Sequence, residues 1–190
     1  SNFDNMNFLD LKYPESININ AWFSLKNSLL IKQNSPDFTS PDTTHIQSNG
    51  LPVIPGSSLK GALRHRAEKI CNFVFKDKIK TKELMTWCFG NIVEKKNNMD
   101  TSKNSMSNIT VEERLVDSNH IAMEIQNRIQ IDRFTGGAAN TALFDTVPLW
   151  AKNNERVVNM EFSITNKNCS NNFKAGAGIL LLLLKDIWTE

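Results

Sequence analysis

Ile17, Ile19, Ala21, Phe23 and Leu25 alternate with Asn18, Asn20, Trp22 and Ser24. A period of two places one set on each face of a pleated ribbon, so this stretch is predicted to be a half-buried strand continuing through "SLLIKQ". Residues 33–50, "QNSPDFTSPDTTHIQSNG", carry two prolines, keep neither period and read as one long loop. The period then changes. Leu59, Leu63, Ile70 and Val74, with Ala62, Ala67 and Phe73 beside them, form an apolar stripe at helical spacing. Pro55-Gly56 makes the turn into this helix, and Ser57 or Ser58 is predicted to cap it. Gly61 in its first turn costs about 1 kcal/mol relative to alanine, which suggests that something approaches the backbone closely there.

"TKELMTWCFG" is predicted to be a second short helix ending at Gly90. Residues 94–108 are poor in apolar side chains and read as a flexible insertion. "ITVEERLVD", "NRIQIDRF" (Ile129 and Ile131 on one face) and "VVNMEFSI" read as strands, with "TGGAANTALFDTVPLW" as a glycine-containing excursion between the last two. "NNFKAGAGILLLLLKDIW" closes the chain as a buried core helix. Strand, helix, strands, helix is the order of an α+β sandwich of the ferredoxin-like kind.

The 190 residues suffice for one domain with a sizeable core. A net charge of +2 excludes a bulk polycation. Between Lys60 and Lys80, however, seven cations stand against Glu68 and Asp77, which reads either as a solvated helix face or as a surface for a polyanion. Cys71, Cys88 and Cys169 are odd in number and show no CxxC spacing. They indicate neither a disulfide framework nor a zinc module and fit a reducing cytoplasm, with Cys71 as a small core residue. The apolar run before Lys185 and Asp186 is too short to span a bilayer, so no membrane partner is expected.

The stretch "LPVIPGSSLKGALRHRAE" concentrates the chemistry. A helix start offers free amides and a partial positive charge, and Gly56, Ser57 and Ser58 add amides and hydroxyls. Lys60 and Arg64, four apart, lie on one side and are placed to clamp consecutive phosphates. A capped surface helix with an Arg64–Glu68 pair is the plainer alternative. The GxxxxGK[ST] spacing of a nucleotide-cradling loop is absent.

"PVIPGSSLKGALR" resembles the signature of the RAMP superfamily, the repeat-associated proteins that build type III CRISPR effector complexes. "IQIDRFTGGAANTALFDTVPLW" is similar to the family segment in which a strand ends at Asp-Arg, a Thr-Gly hairpin projects, and the chain returns through an acidic residue and a proline. "CFG" followed by "ITVEERLVD" fits the family order. The resemblance implies one domain over residues 1–190 with an N-terminal extension (1–12), a catalytic-type loop (33–50), the insertion at 94–108 and a projecting "thumb" hairpin (134–149). The core would be of RNA-recognition-motif type.

It also implies a role. The chain would bind guide CRISPR RNA as a backbone subunit of a type III effector complex, beside neighbouring RAMP subunits and other effector subunits, in an antiviral defence system. It would cut the paired target RNA as a metal-dependent endoribonuclease. Family cleavage uses an aspartate in the loop after the first strand. That role, with a Mg²⁺ or other divalent ligand, carries over to Asp42, and less closely to Asp37. Gly56, Ser57, Ser58, Lys60 and Arg64 would hold the guide backbone, joined by Arg133 and Thr135. Leu143 and Phe144 are the apolar wedge candidates. Asp42 after Pro41 also reads as an ordinary turn residue, Arg133 as the partner of Asp132 or Glu124, and His45 as an incidental loop histidine, a proton-transfer aid or a ring that stacks on a base. A non-cleaving scaffold and a crRNA-processing endonuclease using histidine or tyrosine are the alternative functions. The family's final strand and glycine-rich loop have no counterpart here, which leaves open a fragment of a larger chain or a strand supplied by another domain.

Overall fold

In β1 (Ser16–Phe23) the predicted alternation is realised: Ile17, Ile19, Ala21 and Phe23 are the more covered set. The strand stops at Phe23, and β2 (Lys32–Asn34) is a separate element rather than its continuation. The computed structural model describes residues 15–34, 40–91, 105–153, 155–166 and 172–189. The expected N-terminal extension, Asp37 and most of the 94–108 insertion lie outside these residues. The chain divides into two compact units, one built from described residues within 1–19, 60–110 and 162–190, the other from 20–59 and 111–161. The backbone passes between them four times, each time inside a strand or helix: Ser16–Phe23, Gly56–Phe75, Ile109–Val111 and Val158–Thr165. Among the described residues there are three α-helices and four small sheets, a mixed α+β architecture.

Helices dominate the first unit. In α1 (Gly56–Phe75) the buried stripe is Leu63, Ala67 and Cys71, at the i, i+4, i+8 spacing expected of one helix face. Phe73 and Val74, expected in that stripe, are instead 83% and 60% exposed, because the last turn of α1 runs beyond its cover. The carboxylate of Asp77 caps α2 (Lys78–Phe89) by accepting the amides of Ile79 and Lys80. α2 ends at Gly90, whose φ of +80° favours glycine. In α3 (Asn172–Thr189) Ile179, Leu180 and Leu183 are buried while Leu181 and Leu182 are exposed, so the leucine run is a one-sided helix rather than a fully buried one. Gly176 lets α3 approach α2: a Cβ there would stand 2.7 Å from the Trp87 ring. Arg66 of α1 pairs with Asp186 of α3 at 2.7 Å.

Sheets dominate the second unit. β3 (Thr43–His45) lies between β2 and β10 (Ala138–Val147), and β9 (Gln126–Ile131) closes the order β2-β3-β10-β9. A further sheet has the order β4-β5-β7, made of Gln47–Ser48, Leu51–Ile54 and Arg114–Leu115, and another pairs β8 (Ile121–Met123) with β11 (Leu149–Ala151). Residues 33–50 are thus not one loop. β3 pairs in parallel with β10, Thr43 opposite Thr146, and a partner a hundred residues away leaves no trace in a local pattern.

"ITVEERLVD" is two strands rather than one. β6 (Ile109–Val111) belongs to the sheet β1-β12-β6, with β12 (Val158–Thr165) at its centre, whereas β7 pairs with β5. The switch falls at Glu112-Glu113. Arg114 secures it by binding the carboxylates of Glu112 and Glu161.

Candidate nucleic-acid interface

The start of α1 is built by β5, which delivers the chain through Pro55. The Pro55 carbonyl accepts the amides of Ser58 (3.1 Å) and Leu59 (3.2 Å), closing the first turn. Helical structure begins at Gly56, so Ser57 and Ser58 lie inside the turn, exposed, rather than ahead of it as caps. Gly56 is fixed by sterics: a Cβ would fall 2.0 Å from the Val111 carbonyl oxygen. At Gly61 a Cβ would meet nothing within 4 Å, so packing within the chain does not require that glycine.

Lys60 and Arg64 follow one turn apart on the same helix. Partial burial holds the Lys60 ammonium below its ordinary lysine value, and the Arg64 cation lowers it further. Among the described residues neither has an ion-pair partner, and the alternative Arg64–Glu68 pair is not formed. Arg66, by contrast, is neutralised by Asp186. Two adjacent uncompensated cations raise each other's energy, and an anion bound to both relieves it.

Asp42 stands just before β3, exposed to solvent. Its Oδ2 accepts the backbone amide of Asp145 at 3.0 Å, at the base of the β9–β10 hairpin. The sequence points to Asp42 but not to this partner. Its only signal was the acidic residue before Val147-Pro148. Among the described residues no group of three or more His, Cys, Asp or Glu side chains is placed to hold a metal. A Mg²⁺ that keeps most of its waters and takes other ligands from phosphates would require one or two carboxylates, of which Asp42 would be one.

The hairpin takes in residues 126–147, so the expected 134–149 segment is its turn and returning strand. β9 and β10 pair with a bulge: Ile131 opposes Ala138 and Ile129 opposes Leu143, so β9 advances two residues where β10 advances five. Asp132 organises the turn. Its amide donates to the Gly137 carbonyl, its carbonyl accepts the Gly136 amide, and its carboxylate accepts the Phe134 amide at 2.8 Å. Arg133 and Thr135 sit exposed in this turn. At about 3.3 Å per residue along β10 they lie roughly 20 Å from Asp42. The structure therefore brings Asp42 to Asp145 and leaves Arg133 and Thr135 at the other end of the hairpin. Of the two wedge candidates, Leu143 is exposed and Phe144 half-buried. Phe134, overlooked in the sequence, is 100% exposed at the tip, with Ile129 and Ile131 also exposed along β9.

His45 is a strand residue rather than a loop histidine, and it is not free to move a proton or to stack on a base. It is 1% exposed and bridges two segments: Nδ1 accepts the Ile31 amide (3.2 Å) and Nε2–H donates to the Val53 carbonyl (2.9 Å). This pattern requires the neutral ring. Burial lowers its pKa below the ordinary value, against smaller opposing effects of the Val53 and Leu29 carbonyls.

Among solved structures, a chain described as a CRISPR RNA-guided surveillance complex is similar at 13% identity and a TM-score of 0.48. The alignment covers 90% of the present chain, which spans 59% of that one. No curated protein matches. The family model of the RAMP superfamily matches residues 22–188. That match runs from β1 to the last turn of α3, through the start of α1, the Asp42 segment and the whole hairpin, and on this extent the chain belongs to the RAMP superfamily.

Proposed function

We propose that the chain is a guide-RNA-binding backbone subunit, or a domain of one, in a type III CRISPR effector complex, and that it cleaves the paired target RNA at Asp42. The reading takes the β9–β10 hairpin as the family's thumb on a ferredoxin-like core. The observation that carries it is the placement of Asp42: an exposed carboxylate at the mouth of β3, held by a backbone amide at the base of the projecting hairpin.

Lys60 and Arg64 suit the guide backbone because they are neighbouring cations with no counter-charge paired to them among the described residues, and Ser57 and Ser58 add hydroxyls at the same helix start. Such contacts position RNA without reading its sequence, which base pairing does instead. The exposed Phe134, Ile129, Ile131 and Leu143 give the hairpin an apolar surface suited to wedging between bases.

Target RNA brings its own nucleophile, the 2′-OH. A hairpin that splays the strand aligns this oxygen with the scissile phosphorus, and positioning of this kind contributes several kcal/mol. Asp42, held through one oxygen, would take the 2′-OH proton on the other; as the 2′-O–P bond forms the P–O5′ bond breaks, leaving a 2′,3′-cyclic phosphate and a 5′-oxygen that takes its proton from water. A bound divalent cation would neutralise charge developing on the phosphate.

The same hydrogen bond supports a second reading, in which Asp42 merely anchors the hairpin and the subunit is a scaffold. Assembly with guide RNA, followed by addition of labelled complementary target with Mg²⁺ or EDTA, separates the two. Wild-type cleavage that disappears in Asp42→Ala while target binding persists supports the catalytic reading. Target binding without cleavage by the wild type overturns it and leaves the scaffold. A third family role, processing by histidine or tyrosine, finds little support in His45, which is buried and committed to backbone partners.

A further inference from the structure

Lysines 76, 78, 80 and 82 around the start of α2 take no part in the proposed RNA chemistry. The acids among them are Asp77, occupied in capping α2, and Glu83. Lys78 and Lys82 stand on the side of α2 that forms, with Ser105, Met106, Asn108 and Asn172, an open groove of about 780 Å³ within the first unit. Ile79, Trp87 and Met106 line its apolar part, and Ile79 and Met106 are 72% and 80% exposed. Lys78 and Lys82, one helical turn apart, stand at its edge.

The groove is preformed. Asn108 donates both its amide (3.3 Å) and its Nδ2–H (2.8 Å) to the Trp87 carbonyl, the single hydroxyl proton of Ser107 is shared between the Ile109 (2.5 Å) and Cys88 (3.0 Å) carbonyls, and the Asn91 amide donates to the Ser105 carbonyl (3.2 Å). The wall opposite α2 is thus tied to the end of α2 itself. A partner binding here need not order it, which lowers the cost of association.

We propose that this groove docks a polypeptide segment in which an apolar side chain is flanked by carboxylates. Charge complementarity selects the acidic flanks: Lys78 and Lys82 lie one helical turn apart on the groove side of α2, with Ile79 beside them. The lining selects polypeptide over RNA. Its apolar part is Ile79, Met106 and a half-buried Trp87 whose ring edge lies against Gly176, whereas single-stranded RNA requires open aromatic faces. Glu83 in the lining also opposes a continuous phosphate backbone but is tolerated by a peptide of mixed charge. The inference is independent of the roles proposed for Asp42 and the helix start.

The test uses the full chain and a short fluorescein-labelled amphipathic peptide of glutamate and leucine. The same peptide with lysine in place of glutamate and a short oligouridine serve as controls. Binding is read by anisotropy, and the site by amide chemical shifts. The Glu/Leu peptide is expected to shift Ile79, Trp87 and Met106, and Lys78→Glu/Lys82→Glu to weaken it by about tenfold or more. The reversed variant is expected to gain affinity for the Lys/Leu peptide, and Ile79→Ser to weaken both pairings. All these positions are exposed and leave the Asp77 cap intact, and circular dichroism checks the fold. The proposal fails if the Glu/Leu peptide does not bind or binds the reversed variant equally well. It fails equally if oligouridine, or self-association on raising the chain concentration, produces the shifts at these residues.

Discussion

The Asp145 amide donates to the Asp42 carboxylate across 3.0 Å and 103 residues of chain. The bond joins the residue proposed for catalysis to the hairpin proposed to distort its substrate. An exposed bond of this kind contributes about 0.5–1.5 kcal/mol, enough to orient a side chain but not to decide whether the protein folds.

Asp42→Asn and Asp42→Ala therefore separate two functions of one side chain. Asparagine retains an oxygen that can accept the Asp145 amide but loses the negative charge. Cleavage is expected to fall by about a hundredfold or more in both variants, as for loss of a catalytic base. Thermal stability is expected to fall only in the alanine variant, by about 2–4 °C. Cleavage assays beside differential scanning calorimetry check both, and an active asparagine variant would sink the catalytic assignment.

Gly56→Ala is expected to destabilise the fold by about 3 kcal/mol or more, because its Cβ would overlap the Val111 carbonyl rather than a side chain that can turn away. Gly61→Ala, with open space around the new methyl, is expected to stabilise α1 by up to about 1 kcal/mol. Urea titrations of the two variants measure the contrast. If Gly61→Ala nonetheless weakens RNA binding, the bare backbone at that position is a contact surface.

Replacing Lys60 or Arg64 with alanine is expected to lower the slope of log K against log salt by about 0.7 for single-stranded RNA per lost phosphate contact. Arg66→Ala serves as control, since its guanidinium is already paired with Asp186. An unchanged slope in both test variants would remove these two residues from the interface.

His45 predicts an acid-sensitive fold. Its pKa is lowered in the folded state, so below the unfolded value of about 6.5 the unfolded chain binds the extra proton first. Stability conferred by the neutral ring is present above that pH and is lost as pH falls through the folded-state value. Melting temperatures between pH 7.5 and 5 are expected to fall more steeply in wild type than in His45→Gln, whatever the absolute stability of the variant.

The sequence made some of these features legible and concealed others for physical reasons. Period-two alternation identified β1 and β12 because each buries one side continuously. Helical spacing located α1 but placed Phe73 and Val74 in the core, since periodicity reveals a face and not where its cover ends. The five leucines of α3 looked wholly buried for the same reason. Residues 33–50 looked like a loop because β3 draws its second partner from β10. His45, assigned to that loop, is in fact a core link between Ile31 and Val53. Asp42 was recognisable as an acid ahead of the Pro-Gly-Ser-Ser motif, but its anchor at Asp145 depends on a strand register that no nearby residue encodes.

The parallel pairing of Thr43 with Thr146 has a consequence for biosynthesis. On the ribosome β2 and β3 emerge together and can form their antiparallel ribbon early, but one edge of β3 stays bare until β10 follows about a hundred residues later. Contacts of such long range form slowly. The nascent chain must keep that edge from aggregating meanwhile, and a ribosome-stalled chain ending at Gly137 should show Asp42 free to move, with its local order appearing only once synthesis passes Val147.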